Sequence, residues 1–261
     1  MPFARSHEAD IYWKVEGEAE RPRLVLLNSI GTDMDLWAPA LPALRREFQL
    51  LRVDTRGHGA SDAPHKDYEL ATLARDVEAA MDAAGWPSAT IAGVSLGGMI
   101  AMQLALDAPA RVEGLALVCT SATMDRAAWT ARVNKVRTDG VAGIVDLAMS
   151  RFLSPDFVEE RPEVAATVRR GLLSMPSEGY AGCAAAIRDM TIADRLPQIA
   201  CRALVVTGER DTSTPYEGHG EHLLARIAGA QHVSLPAAHL APLEAPEALA
   251  TAILEFRKSI P

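Results

Sequence analysis

The chain of 261 residues carries a formal net charge of −8 and has a sequence pI near 5.4. This acidic balance offers no basic field to a phosphate backbone or an anionic membrane surface, so we expect neither nucleic acid nor a membrane as a partner. The apolar runs are far shorter than the roughly 20 residues of a membrane-spanning helix, and the opening MPFARSHEAD lacks an apolar signal core. We therefore expect a cytoplasmic protein that acts on small molecules.

Short apolar runs alternate with helical patterns along most of the chain, which is typical of a mostly parallel sheet covered on both faces. Near the N-terminus, IYWKVEG predicts an antiparallel strand at the edge of this sheet. The further predicted strands, in chain order, are RLVLLNS (23–29), FQLLRVD (48–54), ATIAGVS (89–95), VEGLALVCT (112–120), RALVVTG (202–208) and AQHVSLP (230–236). Apolar positions three and four residues apart predict helices over 69–84, 96–107, 217–228 and 246–258.

The alternation stops between about Thr123 and Pro197. This stretch contains no convincing strand, only helical patterns such as DRAAWTARVNKVR and PEVAATVRRGLLSM interrupted by prolines. We therefore expect a core formed by residues 1–122 and 198–261, with a helical cap, residues 123–197, inserted into it. Since no flexible or low-complexity linker separates the two parts, the cap is expected to pack on the core.

The three cysteines, Cys119, Cys183 and Cys201, are widely spaced among apolar neighbours. An odd number of cysteines in this setting argues against both a disulfide framework and a metal site. We predict that all three are buried free thiols.

The stretch AGVSLGGMIA, residues 92–101, places one serine among three glycines between a predicted strand and a predicted helix. Residues 93–97 match the pattern G-x-S-x-G, in which a sharp strand-to-helix turn exposes the serine hydroxyl above the edge of the sheet. A tight turn without chemistry could produce the same pentapeptide. The strand before it and the helix after it favour Ser95 as a nucleophile, with the Leu96 N–H as a donor to the oxyanion.

A serine nucleophile needs a base and a group that orients the base. Asp211 follows the strand RALVVTG, and His239 follows the last strand in the loop PAAHLAPLE, so both should lie at the same edge of the sheet as Ser95. Asp211 could instead cap the next helix, and His58 is the one serious alternative to His239. The other histidines are predicted as surface or packing residues: His7, His65, His219, His222 and His232.

Four stretches together resemble a known family across nearly the whole chain: LLNSIGTDMDLWAPALPAL, LRVDTRGHGASDAP, AGVSLGGMIA and the tail HLAPLE. They resemble the α/β-hydrolases, and most closely the bacterial 3-oxoadipate enol-lactone hydrolases of aromatic catabolism. The resemblance implies an α/β-hydrolase fold, with an eight-stranded, mostly parallel twisted sheet flanked by helices and an inserted helical cap. It also implies that a small acidic lactone is hydrolysed through an acyl-enzyme, without cofactor or metal.

The same resemblance implies further site residues. By analogy with the H-G-x loop of the fold, the second oxyanion donor would be the Ile30 N–H, with Ser29 sharing the role through its N–H or its hydroxyl. A loop-closing turn at Asn28-Ser29 is the alternative. In the cap, Trp129 and Arg132 resemble substrate-binding residues of the family.

Other functions remain open from the sequence. The same three side chains would serve a generic carboxylesterase, a carbon–carbon bond hydrolase, an acyltransferase or a perhydrolase. A ligand-sensing protein that retains a hydrolase core is a further alternative. The sequence argues against a dehalogenase, because that chemistry requires a carboxylate nucleophile where this chain has Ser95. Nothing in the sequence indicates an oligomeric state.

Overall fold

The computed structural model describes residues 2–260, which contain one eight-stranded sheet. The strands, in chain order, are β1 (Phe3–Ser6), β2 (Ala9–Glu16), β3 (Arg23–Leu27), β4 (Gln49–Val53), β5 (Ala89–Val94), β6 (Val112–Val118), β7 (Arg202–Gly208) and β8 (Gln231–Leu235).

The strands lie in the order β1-β2-β4-β3-β5-β6-β7-β8. Neighbouring strands from β4 to β8 are parallel, whereas β2 is antiparallel to both β1 and β4. The predicted eight-stranded, mostly parallel sheet is confirmed. The prediction of IYWKVEG as the edge is wrong, because β1 lies outside it. Strand β1 has four residues, too few for its alternation to be recognised in the sequence.

Helices accompany the sheet, and none of those within residues 2–260 has the length and apolar character needed to cross a bilayer. The α-helices are α1 (Leu41–Leu44), α2 (Leu70–Ala83), α3 (Leu96–Asp107), α4 (Arg126–Asp139), α5 (Val145–Phe152), α6 (Pro155–Glu160), α7 (Pro162–Ser174), α8 (Ser177–Asp189), α9 (Glu221–Arg226), α10 (Ala241–Glu244) and α11 (Pro246–Ser259). Short helical turns cover Met34–Trp37, Pro109–Arg111, Val141–Gly143, Ala193–Gln198 and Tyr216–Gly220.

Three of the four predicted core helices coincide with α2, α3 and α11 to within about one residue. The fourth, predicted over 217–228, is wrong in its first half. Glu217 and Gly218 have non-helical backbone angles, and Gly218 has a φ of 78°. A left-handed glycine interrupts the helical hydrogen bonding, so only Glu221–Arg226 forms a regular α-helix.

Strand β5 and helix α3, which meet at Ser95, are deeply buried. All six residues of β5 are buried, and so are ten of the twelve residues of α3. A helix that is apolar on all sides requires neighbours on all sides, which explains why Leu96–Asp107 lacks the usual polar face. The junction between strand and helix is therefore held from every direction.

Between β6 and β7 the described chain contains α4 to α8 and no strand. We call residues 126–198 the helical segment. It is tied to the rest of the chain by backbone hydrogen bonds from both of its halves. The Leu240 N–H donates to the Phe152 carbonyl at 3.0 Å, and the Tyr68 N–H donates to the Gly182 carbonyl at 3.1 Å.

The three cysteines are free thiols. Cys119 and Cys183 are buried as predicted, whereas Cys201 is only half-buried. Burial raises the pKa of Cys119 and Cys183, and it raises the pKa of Cys201 to about 11. Within residues 2–260, no group of three or more His, Cys, Asp or Glu side chains is arranged to hold a metal ion.

The loop DTRGHG after β4 is fixed by buried polar contacts. Arg56 forms an ion pair with Asp76 at 2.6 Å, and both side chains are buried. His58 is fully buried; its Nε2 accepts the Gly31 N–H at 3.0 Å, and its Nδ1 lies 3.1 Å from the Arg56 carbonyl oxygen. These partners require a neutral ring with the proton on Nδ1. His58 thus joins this loop to the loop that carries Ile30.

The buried His58 should make the fold sensitive to acid. Burial lowers the pKa of His58 from 6.5 to about 4, so the unfolded chain binds a proton more readily than the folded one between these values. Stability from this residue is complete above pH 6.5 and is lost as the pH falls towards 4, by about 3 kcal/mol. Urea unfolding of the wild type and of His58→Gln at several pH values measures this contribution to the free energy of unfolding.

The free energy of unfolding of the wild type should fall relative to that of His58→Gln as the pH falls, because glutamine does not titrate. A difference in unfolding free energy that stays constant with pH would contradict the assignment.

Candidate active site

Ser95 occupies a sharp turn between β5 and α3. Its backbone angles are φ 54° and ψ −115°, a conformation that non-glycine residues rarely adopt. The Ser95 N–H donates to the Val118 carbonyl at 2.9 Å, and the Ser95 carbonyl accepts the Thr120 hydroxyl at 2.6 Å. These contacts with β6 and the loop after it hold the strained residue in place.

The neighbouring glycines are required by close backbone packing. A Cβ on Gly93 would lie 2.2 Å from the Gly97 carbonyl carbon, and a Cβ on Gly97 would lie 2.7 Å from the Leu27 carbonyl oxygen. A Cβ on Gly98 would lie 2.7 Å from the Thr120 side chain. Any larger residue would force the strand and the helix apart, which explains why glycines occur at a helix start that they otherwise weaken.

Asp211 and His239 form a closed, buried pair. Asp211 follows β7 and His239 follows β8, and the His239 Nδ1 lies 2.9 Å from the Asp211 Oδ2. The Thr214 hydroxyl donates to the same oxygen at 2.8 Å, while the N–H groups of Ser213 and Thr214 donate to Oδ1. Burial by itself raises the pKa of Asp211, but His239 and these hydrogen bonds outweigh it and lower the pKa to about 2.

Ser95 and His239 face the same small cavity of about 30 Å³. Its walls are formed by side chains from the sheet edge and from the helical segment: Ile30, Ser95, Met99, Met124, Trp129, Arg132, Ala148, Arg151, Phe152, Ser213, Thr214 and His239. Within residues 2–260, no hydrogen bond joins the Ser95 hydroxyl to the His239 ring. The structure thus brings the three predicted catalytic residues close together. The Asp211–His239 contact is formed, whereas Ser95 and His239 are not hydrogen-bonded within the described residues.

Two backbone N–H groups next to the cavity have no acceptor among the described residues, those of Ile30 and Leu96. The Leu96 N–H is free because it opens helix α3. Ile30 lies in a loop held by Asn28, whose side-chain amide donates to the Ser29 carbonyl at 2.9 Å. Ser29 is fully buried, and its hydroxyl donates to the Ile30 carbonyl at 3.3 Å. The Ser29 side chain therefore stabilises the loop and does not line the cavity.

The helical segment contributes cationic groups to the cavity. Trp129 is buried, and the Arg132 guanidinium lies 4.6 Å from the centre of its ring. Arg151, at the end of α5, also lines the cavity, and neither arginine forms an ion pair within residues 2–260. Arg151 was not predicted. Its stretch SRFLSP carries no motif, and only the fold brings it beside Ser95.

Three other histidines, His58, His219 and His232, contact polar groups of the chain. His58 is bound to Gly31 and does not line the cavity, so it does not compete with His239. The His219 Nδ1 lies 2.7 Å from the Ser121 hydroxyl, and the His232 Nε2 lies 2.9 Å from the Thr207 hydroxyl.

A second, larger cavity of about 500 Å³ lies between α7 and the loop 31–36. We call it the outer chamber. Its walls are formed by Gly31, Thr32, Asp33, Asp35, Leu36, Gly59, Glu163, Val164, Thr167, Val168, Arg170, Gly171, Ser174, Met175, Pro176 and Leu243. Gly31 directly follows Ile30, so neighbouring residues of the same loop line the two cavities.

Comparison with known proteins identifies the family of the chain. Residues 22–246 match the profile of the alpha/beta hydrolase fold family. The chain is 33% identical over 238 residues to 3-oxoadipate enol-lactonase 2 of Acinetobacter baylyi, a match that covers 91% of this chain and 89% of that protein.

Solved structures agree as well. The enol-lactonase from Burkholderia xenovorans LB400 is 34% identical and superposes with a TM-score of 0.95 over 98% of this chain and 100% of its own. A thermophilic esterase from Thermogutta terrifontis, solved with malate bound, is 26% identical with a TM-score of 0.92 over 99% and 98% of the two chains. The chain belongs to the α/β-hydrolase fold family.

Proposed function

We propose that the protein is a serine hydrolase that opens a small, carboxylate-bearing lactone through an acyl-enzyme, with the enol-lactone of 3-oxoadipate as the substrate that fits best. The observation that carries the proposal is the cavity itself. Ser95, His239 and Ile30 line it; Asp211 is hydrogen-bonded to His239, and Leu96 directly follows Ser95.

In the first step, the His239 ring accepts the Ser95 hydroxyl proton as Oγ attacks the lactone carbonyl carbon. Asp211 holds Nδ1, so the free Nε2 receives the proton, and the ionised carboxylate stabilises the imidazolium that results. The low pKa of Asp211 keeps this carboxylate charged throughout the neutral range.

The negative charge that develops on the carbonyl oxygen needs donors already in place. The Ile30 and Leu96 N–H groups are free to supply them, and each such donor is worth roughly 3 to 4 kcal/mol in the transition state. The start of α3 adds the positive end of a helix dipole. In the proposed chemistry this is the main electrostatic stabilisation.

When the intermediate collapses, the carbon–oxygen bond of the ring breaks and the leaving oxygen takes the proton from the imidazolium. The opened arm stays attached to the acyl group. A water molecule, deprotonated by His239, then attacks the ester of Ser95, and the product acid leaves as the serine regains its proton. No cofactor or metal takes part in these steps.

The arginines favour an acidic substrate. A free carboxylate entering the cavity would meet Arg132 and Arg151, neither of which is neutralised by an ion pair within the described residues. Trp129 would hold the Arg132 guanidinium over its ring. The similar enol-lactonases from Acinetobacter and Burkholderia, and the esterase solved with malate, support this choice.

A cavity of about 30 Å³ has room for one or two water molecules and not for a lactone with a side arm. Substrate binding therefore requires the helical segment to move outward. We propose that residues 123–197, which contain nearly all of the helical segment, act as the cap of the site and close over the substrate.

Removal of the proposed nucleophile should abolish activity. Ser95→Ala should lower kcat on the enol-lactone of 3-oxoadipate by about a million-fold, because it removes the proposed nucleophile next to the Leu96 N–H. An exposed serine on α5, Ser150→Ala, is the control and should keep its activity. Mass spectrometry after treatment with a fluorophosphonate should locate the label on Ser95. Turnover that survives in Ser95→Ala would contradict the proposal.

Arg132 and Arg151 should favour a substrate that carries a negative charge. Arg132→Met and Arg151→Met should each lower kcat/KM on the acidic lactone by about tenfold, while phenyl acetate is hydrolysed as before, since only the former loses a charged hydrogen bond. Arg126→Met on the same helix as Arg132 is the matched control, because Arg126 is exposed and pairs with Asp189. Equal losses on both substrates would favour a simple esterase.

A further inference from the structure

The catalytic cavity and the outer chamber are separated by a thin wall. Gly31 lines the outer chamber, whereas Phe152 lines the catalytic cavity. A Cβ built on Gly31 would lie 3.1 Å from the Phe152 Cζ and 3.0 Å from the Leu172 Cδ1. The edge of the Phe152 ring, with Leu172 beside it, therefore fills the space between the two.

Phe152 is held firmly in this position. Its ring is buried and lies nearly parallel to the His239 ring, with centroids 6.2 Å apart and an interplanar angle of 13°. Its carbonyl accepts the Leu240 N–H at 3.0 Å, next to His239 in the chain. Two residues later, the Ser154 hydroxyl donates to Glu244 at 2.9 Å. The ring is thus fixed to the loop that carries the proposed base.

The outer chamber suits an apolar group. Six of its lining side chains are apolar: Leu36, Val164, Val168, Met175, Pro176 and Leu243. Two of its carboxylates are already neutralised by ion pairs, Asp35 with Arg52 and Glu163 with Arg161. Asp33 and Arg170 also line the chamber, and neither forms an ion pair within residues 2–260, so the apolar surface has a polar rim.

The position of Phe152 also indicates which end of a substrate would reach the chamber. In the proposed function, His239 returns its proton to the leaving oxygen, so the leaving group of an ester lies on the His239 side of the cavity. Phe152 stands on that side. An alcohol with a longer chain would extend directly against its ring.

We propose that Phe152 limits the enzyme to compact leaving groups, and that the outer chamber behind it is a blocked site for an apolar alcohol arm. The proposal rests on the proposed serine chemistry. Phe152 makes no bond with the reacting atoms and acts only through the space it occupies. Removal of the ring joins the two cavities.

The test compares alkyl acetates from methyl to octyl with the wild type, Phe152→Ala and the milder Phe152→Leu. In Phe152→Ala, the ratio of kcat/KM for hexyl acetate over methyl acetate should rise by at least about tenfold, since several methylene groups become buried in the chamber. A ratio within one variant is unaffected by any general loss of activity through the His239 ring. Thermal unfolding shows that each variant is folded.

A second substitution refills the chamber. Gly171 lines it from helix α7, and a Cβ built there meets nothing within 4 Å. Phe152→Ala combined with Gly171→Phe should therefore return the ratio towards that of the wild type, whereas Phe152→Ala combined with Gly171→Ala should not.

The failures are distinguishable. If Ser95→Ala hydrolyses methyl acetate like the wild type, the proposed function fails. If the serine is essential but the alcohol-length ratio does not change in Phe152→Ala or Phe152→Leu, the inference about Phe152 is overturned. It is also overturned if the gain appears only when the acyl chain of vinyl alkanoates is lengthened.

Discussion

The arrangement depends on one strained residue. Ser95 keeps a backbone with a positive φ where α3 approaches β5 and β3 so closely that only glycine fits at positions 93 and 97. Contacts from Val118 and Thr120 hold the turn from the neighbouring strand. The same turn leaves the Leu96 N–H without a partner beside the hydroxyl. The proposed nucleophile and the proposed oxyanion donor are thus products of a single backbone constraint.

Charged side chains of both signs surround this turn: one carboxylate and two guanidinium groups. The Asp211 carboxylate is buried and hydrogen-bonded through both oxygens, and in the proposed mechanism it balances the charge that the His239 ring acquires. On the other side, Arg132 and Arg151 have no carboxylate partners within the described chain. In the proposed function, a small substrate with one free acid group would complete this arrangement; similar proteins include enol-lactonases.

The sequence predicted much of this because some features leave a local record. Buried parallel strands appear as apolar runs, and G-x-S-x-G records the tight turn at residue 95. The loops after β7 and β8 each carry one suitable polar residue, which selected Asp211 and His239. Features without a local pattern were missed or mistaken. Strand β1 is too short, and the break at Gly218 needs backbone angles that composition does not reveal.

By itself, the sequence determined the fold class, the glycines at the turn and the strands after which the three proposed triad residues lie. These features follow from residue type at neighbouring positions. Tertiary structure alone decided which distant residues share a cavity. It brought Arg151 and Phe152 from the helical segment to Ser95, directed the Ser29 hydroxyl into its own loop, and engaged His58 with Gly31. Such contacts depend on how the helical segment packs on the sheet, and no spacing along the chain encodes that packing.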